Sequence, residues 1–296
     1  MFTLSAPITP IKPVVTKDAD FGYNRRIENK YLEMLDTVAT RIDDILYDYD
    51  ANDPMASIDV MQTLQDFSND LYSWANDLVG GLLYSLNADD ERTWKAHSSL
   101  MSKRLRWELE HVPIEPMMAQ YLNDNVGLIQ SMPLRAAERV QQVVLKNLWT
   151  GEYRPEGLEE QIMNIGNITR NRAKLIARTE VARISTGLTK SRSEALNIPW
   201  YMWKTSHDAR VRSTHAHMDK VLIRWSDPAS PEELMNKKSY GHYHPGCIWN
   251  CRCNARPLLR VSEISFPTKV YMNGQIRTMN QDAFIKLTAG QIPMAA

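Results

Sequence analysis

The sequence predicts an α+β fold: a mostly helical N-terminal half, followed by a long basic helix and a small α+β module with short strands. Three observations carry this expectation. Apolar residues recur at spacings of three and four from Tyr23 to Trp149 with few interior breakers. After Asn197-Ile198-Pro199 the period shortens to the alternation of a strand. All three cysteines then fall within seven residues, Cys247 to Cys253.

A first helix is expected over 23–48, where Ile27, Tyr31, Leu35, Val38, Ile42 and Ile45 form one stripe. A second should run over 57–86, with Ser57 as its N-cap and Ile58, Met61, Leu64, Phe67 and Leu71 along its apolar face. Shorter helices are expected over 90–111, 115–131 and 134–149, punctuated by Pro113 and Pro133. Residues 150–157 read as a loop, followed by a short helix over 156–165. Asn167 or Thr169 can then cap a long helix to about Leu196. The aromatic run from Trp200 to Lys204 reads as a strand, Val221 to Trp225 as a second and Cys251 to Leu259 as a third. Asn273-Gly274 between short alternating runs marks a two-residue hairpin.

These elements divide the chain into an extended N-terminal arm (1–20), a helical domain (21–150), a second domain (151–260) and a C-terminal hairpin and tail (261–296). A length of 296 residues exceeds the usual single domain. No stretch approaches the ~20 uncharged apolar residues that span a bilayer, and no basic segment leads into an apolar core at the N-terminus, so neither a membrane span nor a secretory signal is expected. Charge is unevenly placed. Residues 1–168 hold 15 Lys and Arg against 26 Asp and Glu, whereas residues 169–260 hold 17 against 7. Arg170, Arg172, Lys174, Lys190 and Arg192 make the long helix basic, a candidate contact for nucleic acid or an acidic partner.

The cysteine cluster carries the chemistry. On an extended backbone, side chains two apart share a face, so Cys251 and Cys253 can offer two sulfurs to one ion, and a turn through Trp249-Asn250 can return Cys247 to it. A tetrahedral structural zinc needs a fourth ligand, commonly histidine. His215 is favoured and His244 is the alternative. Reduced structural cysteines, a disulfide or a nucleophilic thiol are the competing readings, but a disulfide leaves one cysteine over and a nucleophile leaves the cluster unexplained. Between 199 and 260 the strands are short and the loops polar, so little apolar core is expected. A structural zinc, contributing on the order of 10–16 kcal/mol, would then decide the fold.

The stretch His207-Asp208-Ala209-Arg210-Val211-Arg212-Ser213-Thr214-His215 sets an acid, two guanidinium groups and an imidazole close together. Asp208 can cap the short helix that follows and pair with an arginine while His215 serves the metal. In the alternative reading, a zinc-dependent hydrolase, nuclease or toxin-like enzyme uses Asp208, Arg210 and His215 as its active residues. No phosphate-binding glycine loop, His-Glu-x-x-His or Gly-x-Ser-x-Gly pattern supports an enzyme.

The order of these motifs resembles the phage Mu F-like minor head protein family, also called the phage head morphogenesis family. The residues that carry the resemblance are Arg178-Thr179-Glu180 on the long helix, Asp208-x-Arg210-x-Arg212-x-x-His215, Met218-Asp219, His244-Pro245-Gly246-Cys247 and Asn250-Cys251-Arg252-Cys253, within about 168–260. Lys220 departs from the pattern, since the family usually has Gly after the Asp. The resemblance implies a structural virion component, not an enzyme, present in few copies. Its implied partners are the portal protein and the procapsid and capsid proteins, in the host cytoplasm during assembly. It further implies contact with packaged double-stranded DNA, or exit with it.

Overall fold

The structure, a computed structural model, describes residues 21–22, 24–53, 55–150, 155–288 and 292. The expected arm over 1–20 and residues 151–154 of the expected loop over 150–157 lie outside the described residues. Five helices come first, α1 (Arg25–Tyr47), α2 (Ala56–Ala96), α3 (Lys103–Leu109), α4 (Glu115–Thr150) and α5 (Pro155–Ala195). Then follow β1 (Trp200–Lys204), α6 (Ser213–His217), β2 (Leu222–Arg224), β3 (Asn254–Pro257), β4 (Thr268–Met272), β5 (Gln275–Met279) and α7 (Gln281–Thr288). The chain is α+β, with a helical N-terminal half and a small C-terminal sheet.

The helices are longer than their breakers suggest. α4 runs through Pro133, which cannot donate to the Ile129 carbonyl. Val126, Ile129, Met132, Ala136 and Val140 are buried on both sides of it, and burial of that continuous face outweighs the one lost bond. α5 likewise absorbs two expected helices. Thr169 does not cap it; its hydroxyl donates to the Ile165 carbonyl at 2.9 Å inside the helix. In α2 the apolar face is Val60, Leu64, Phe67 and Leu71, while Ile58 is half exposed.

The chain divides into two compact units. Among the described residues the first comprises Arg26–Tyr84 and Met118–Ala177. The α1 stripe is buried there as its spacing predicts, and the Tyr31 hydroxyl donates to Asn125 at 3.3 Å within the core. Gly166 lets the Asp43 carboxylate approach α5, because a Cβ there would lie 1.8 Å from Asp43 Oδ1. Asp43 forms an ion pair with Arg170.

The second unit contains Ser85–Met117 and the described residues from Arg178 onward. Its five-stranded sheet has the order β3-β1-β2-β4-β5. β1 is antiparallel to β2 and β3, β4 is antiparallel to β5, and β2 is parallel to β4 through Leu222 and Val270. Alternation sends Tyr201, Trp203, Ile223 and Tyr271 to one apolar cluster. Trp200, Leu222, Val270 and Phe284 go to a second. Both clusters are buried, so the module has more core than its short strands and polar loops led us to expect. The C-terminal hairpin supplies part of it. Asn273 and Gly274, at φ 50° and 77°, make its turn, and Phe284 of α7 packs edge-on against Trp200 at 5.6 Å.

Candidate metal centre

Cys251 and Cys253 lie on the extended segment that enters β3, two residues apart. α6 presents His215 to them: its Nδ1 lies 3.4 Å from Cys251 Sγ and 3.5 Å from Cys253 Sγ. The three ligand atoms lie within 4.8 Å of one another and all three residues are buried. The cysteines belong to the Trp203 cluster, and the Trp203 ring stands edge-on to His215 at 5.6 Å. The alternation of β1 thus decides which face of the sheet holds the group.

The imidazole is oriented from behind. Tyr243 donates its hydroxyl proton to Glu232 Oε2 at 2.7 Å, so its oxygen is left to accept from His215 Nε2, 3.1 Å away. That assignment leaves the Nδ1 lone pair facing the two sulfurs. Glu232 is itself buried and accepts from the Thr214 hydroxyl at 3.0 Å. A histidine whose far nitrogen is tied to a hydroxyl and carboxylate is the arrangement found behind metal-bound imidazoles.

Ties from α5 and from residues 208–212 hold the cysteine loop. The Thr186 hydroxyl of α5 donates to the Pro245 carbonyl at 2.7 Å. Gly246, at φ 85°, sits so close to α5 that a Cβ would lie 2.8 Å from Thr186 Oγ1 and 3.0 Å from the Ala182 carbonyl oxygen. Asn250, left-handed at φ 56°, donates its N–H to the Thr179 hydroxyl at 3.3 Å and accepts from Arg178 at 3.2 Å. Arg252 grips the Asp208 carboxylate with both terminal nitrogens, at 2.6 and 2.7 Å. Arg212 adds a bond to the Trp249 carbonyl at 2.8 Å.

Asp208 therefore does not cap α6. Arg212 occupies that position, without a side-chain bond, while Asp208 accepts from the Arg210 N–H at 2.9 Å and from Arg252. Those bonds, Arg252 foremost, hold its carboxyl below the usual range. Glu180 is buried and takes Arg183 at 2.7 Å. The Lys220 position, where the family pattern expects glycine, has φ 63°.

The two grouped sulfurs differ. A hydrogen bond from the Cys253 thiol favours the Cys251 thiolate, and the same bond together with burial keeps Cys253 protonated. The Gly246 N–H also donates to Cys251 Sγ at 3.3 Å. Cys247 lies outside the group of three, and burial pushes its thiol up to about 12. His244 is also elsewhere: its Nδ1 is 3.2 Å from the Tyr201 hydroxyl, its ring packs against Trp225, and burial lowers its pKa to about 4.

The basic helix is largely committed internally. Arg170 pairs with Asp43, Arg172 donates to Ser131 at 3.0 Å and Lys190 lies 3.8 Å from Glu194. Arg192 is buried, 2% exposed, and its guanidinium binds Asp90, Asn87 and Glu91. It cannot reach a partner's surface. Lys174 is exposed, with no ion pair to a described residue.

Sequence reasoning did not find Tyr243 and Glu232. They lie 28 and 17 positions from His215 in a proline-rich loop without periodicity, so only the fold brings them to it. Two thiols and one imidazole form a donor set suited to zinc. A cavity of about 100 Å³ lined by all three residues opens beside it.

Residues 138–256 match the family model described as Phage Mu protein F like protein. This segment contains the whole candidate centre. The chain is also 32% identical over 139 residues, 47% of its length, to an uncharacterized protein of Haemophilus influenzae strain Rd. It spans 29% of the length of that curated relative. No solved structure matches.

Proposed function

We infer that this chain, which belongs to the Phage Mu protein F like family through residues 138–256, is a structural component of a bacteriophage head, incorporated during head morphogenesis. In this reading it is a minor virion protein that joins the procapsid beside the portal and meets the packaged double-stranded DNA, and zinc holds its C-terminal module. The observation that carries the reading is the buried His215, Cys251 and Cys253 group inside the family segment. Bound zinc would supply a crosslink between α6 and the strand entering β3, and Tyr243 would keep the imidazole aimed at it.

The enzyme alternative is less well supported. His215 Nε2 is held by Tyr243 and its Nδ1 is buried against the two cysteine sulfurs, and Asp208 is clamped by Arg252. Neither is placed as a free acid or base. No described helix is long and apolar enough to cross a membrane.

Protein mass spectrometry of purified heads from a phage carrying this gene tests the assembly role. The chain should be present at low copy number, and deleting the gene should lower the yield of filled heads. Heads that lack the chain and form normally without it would overturn the reading. DNA contact predicts affinity that falls steeply with salt, because phosphate neutralisation releases counterions.

A further inference from the structure

We propose that the cavity between residues 206–212 and the cysteine loop is a binding site for a phosphate-type oxyanion. At about 100 Å³ it holds roughly three water volumes, enough for one small ion and too little for a nucleoside. Its polar wall is Ser206, Arg210, Arg212, Asn250 and Arg252, and His215, Cys251 and Cys253 of the metal centre form its floor. The proposal rests on this cavity and not on the assembly role.

The donors are available. Arg210 is exposed, and its guanidinium hydrogen-bonds to no described residue. Arg212 gives one terminal nitrogen to the Trp249 carbonyl, leaving the rest of its five-donor fork. Asn250 accepts from Arg178 through its side-chain oxygen, which leaves its amide as a donor. Arg252 is neutralised by Asp208, whose two oxygens it holds. Three arginines, Arg210, Arg212 and Arg252, thus line a recess of ion size, and the Asp208 carboxylate beside them offsets one of their three charges, an arrangement that favours a planar fork on a tetrahedral oxyanion.

Free phosphate and a nucleic-acid phosphate share this chemistry. Trp249 and Tyr240, in edge-to-face contact at 4.9 Å, are both about half exposed next to Asn250. Arg212 stands 5.9 Å from the Trp249 ring centroid. An aromatic pair beside a phosphate site is where the base of a single strand would stack.

The test is calorimetric titration of the zinc-loaded full chain with inorganic phosphate, comparing wild type with Arg210→Gln and with Lys269→Gln, an exposed lysine on β4. Arg210→Gln should weaken phosphate binding at least about tenfold, and Lys269→Gln should leave it unchanged. A second titration uses a single-stranded oligonucleotide with a terminal phosphate. If phosphate competes with it and Arg210→Gln weakens both, the ligand is nucleic acid; if only phosphate responds, it is a free oxyanion. Wild type that does not bind phosphate, or Arg210→Gln that binds it equally well, overturns the proposal whatever the oligonucleotide does.

Discussion

His215 Nε2 lies 3.1 Å from the Tyr243 hydroxyl, and that hydroxyl is already donating to Glu232. The histidine is thereby held as the tautomer whose free lone pair points at Cys251 and Cys253. Tyr243→Phe removes the acceptor and keeps the ring. Zinc affinity, measured by competition with a chromogenic chelator, should fall about 10- to 100-fold while the circular dichroism spectrum is unchanged. Equal affinity would show that the tyrosine does not position the ligand.

Cysteine replacements should separate by position. Cys251→Ser and Cys253→Ser should lose bound zinc and lower the melting temperature. The sheet should survive, because the apolar cluster on its other face, around Trp200, Val270 and Phe284, contains no cysteine. Cys247→Ser should retain one zinc per chain, since Cys247 stands outside the group of three. Elemental analysis after dialysis reads all three. Zinc loss from Cys247→Ser would make that thiol a ligand.

The buried Arg192 and Asp90 pair gives a pH-dependent prediction. Burial raises the Asp90 pKa even with Arg192 beside it, and Arg192→Met removes the opposing charge. At neutral pH the variant should lose about 3–5 kcal/mol, because an uncompensated carboxylate stays buried. A folded pKa above the unfolded value favours the native state in acid, and that contribution is lost as pH rises through the folded pKa. Part of the loss should therefore return on acidification. Urea titrations at neutral and mildly acid pH, both with chelator, check this; an identical deficit at both pH values would remove Asp90 as the cause.

Much of this arrangement was legible in the sequence. Cys251 and Cys253 two apart on extended chain, with His215 upstream, were enough to expect the three grouped residues, whereas Cys247, expected with them, stands outside the group. The α1 stripe was equally plain, because a helix with one buried face repeats its apolar residues. Pro133 misled, since a local breaker does not report the packing on either side of it. The basic helix misled for a related reason: Arg192 and Arg170 look like surface charge until the carboxylates of Asp90 and Asp43, about 100 and 127 positions away, are folded against them. Arg178 and Thr179 were recognisable as a motif, but their work of holding Asn250 in its left-handed turn shows only in the folded loop.

Lys220 has a left-handed backbone, φ 63°, and its N–H donates to the Trp203 carbonyl at 2.8 Å. A side chain there costs about 1–2 kcal/mol relative to a residue without Cβ, partly offset by the greater unfolded-state freedom of glycine. Lys220→Gly should raise stability by about 0.5–1 kcal/mol, seen as a higher thermal midpoint. A lower midpoint would mean that the lysine side chain contributes more than its backbone strain.

The coordination of the metal is the central claim, and X-ray absorption at the zinc edge on the purified full chain measures it directly. Two sulfur scatterers at about 2.3 Å and at least one nitrogen at about 2.0–2.1 Å are the expected shell. A shell of nitrogen and oxygen alone, or one with three sulfurs, would contradict a site built from His215, Cys251 and Cys253.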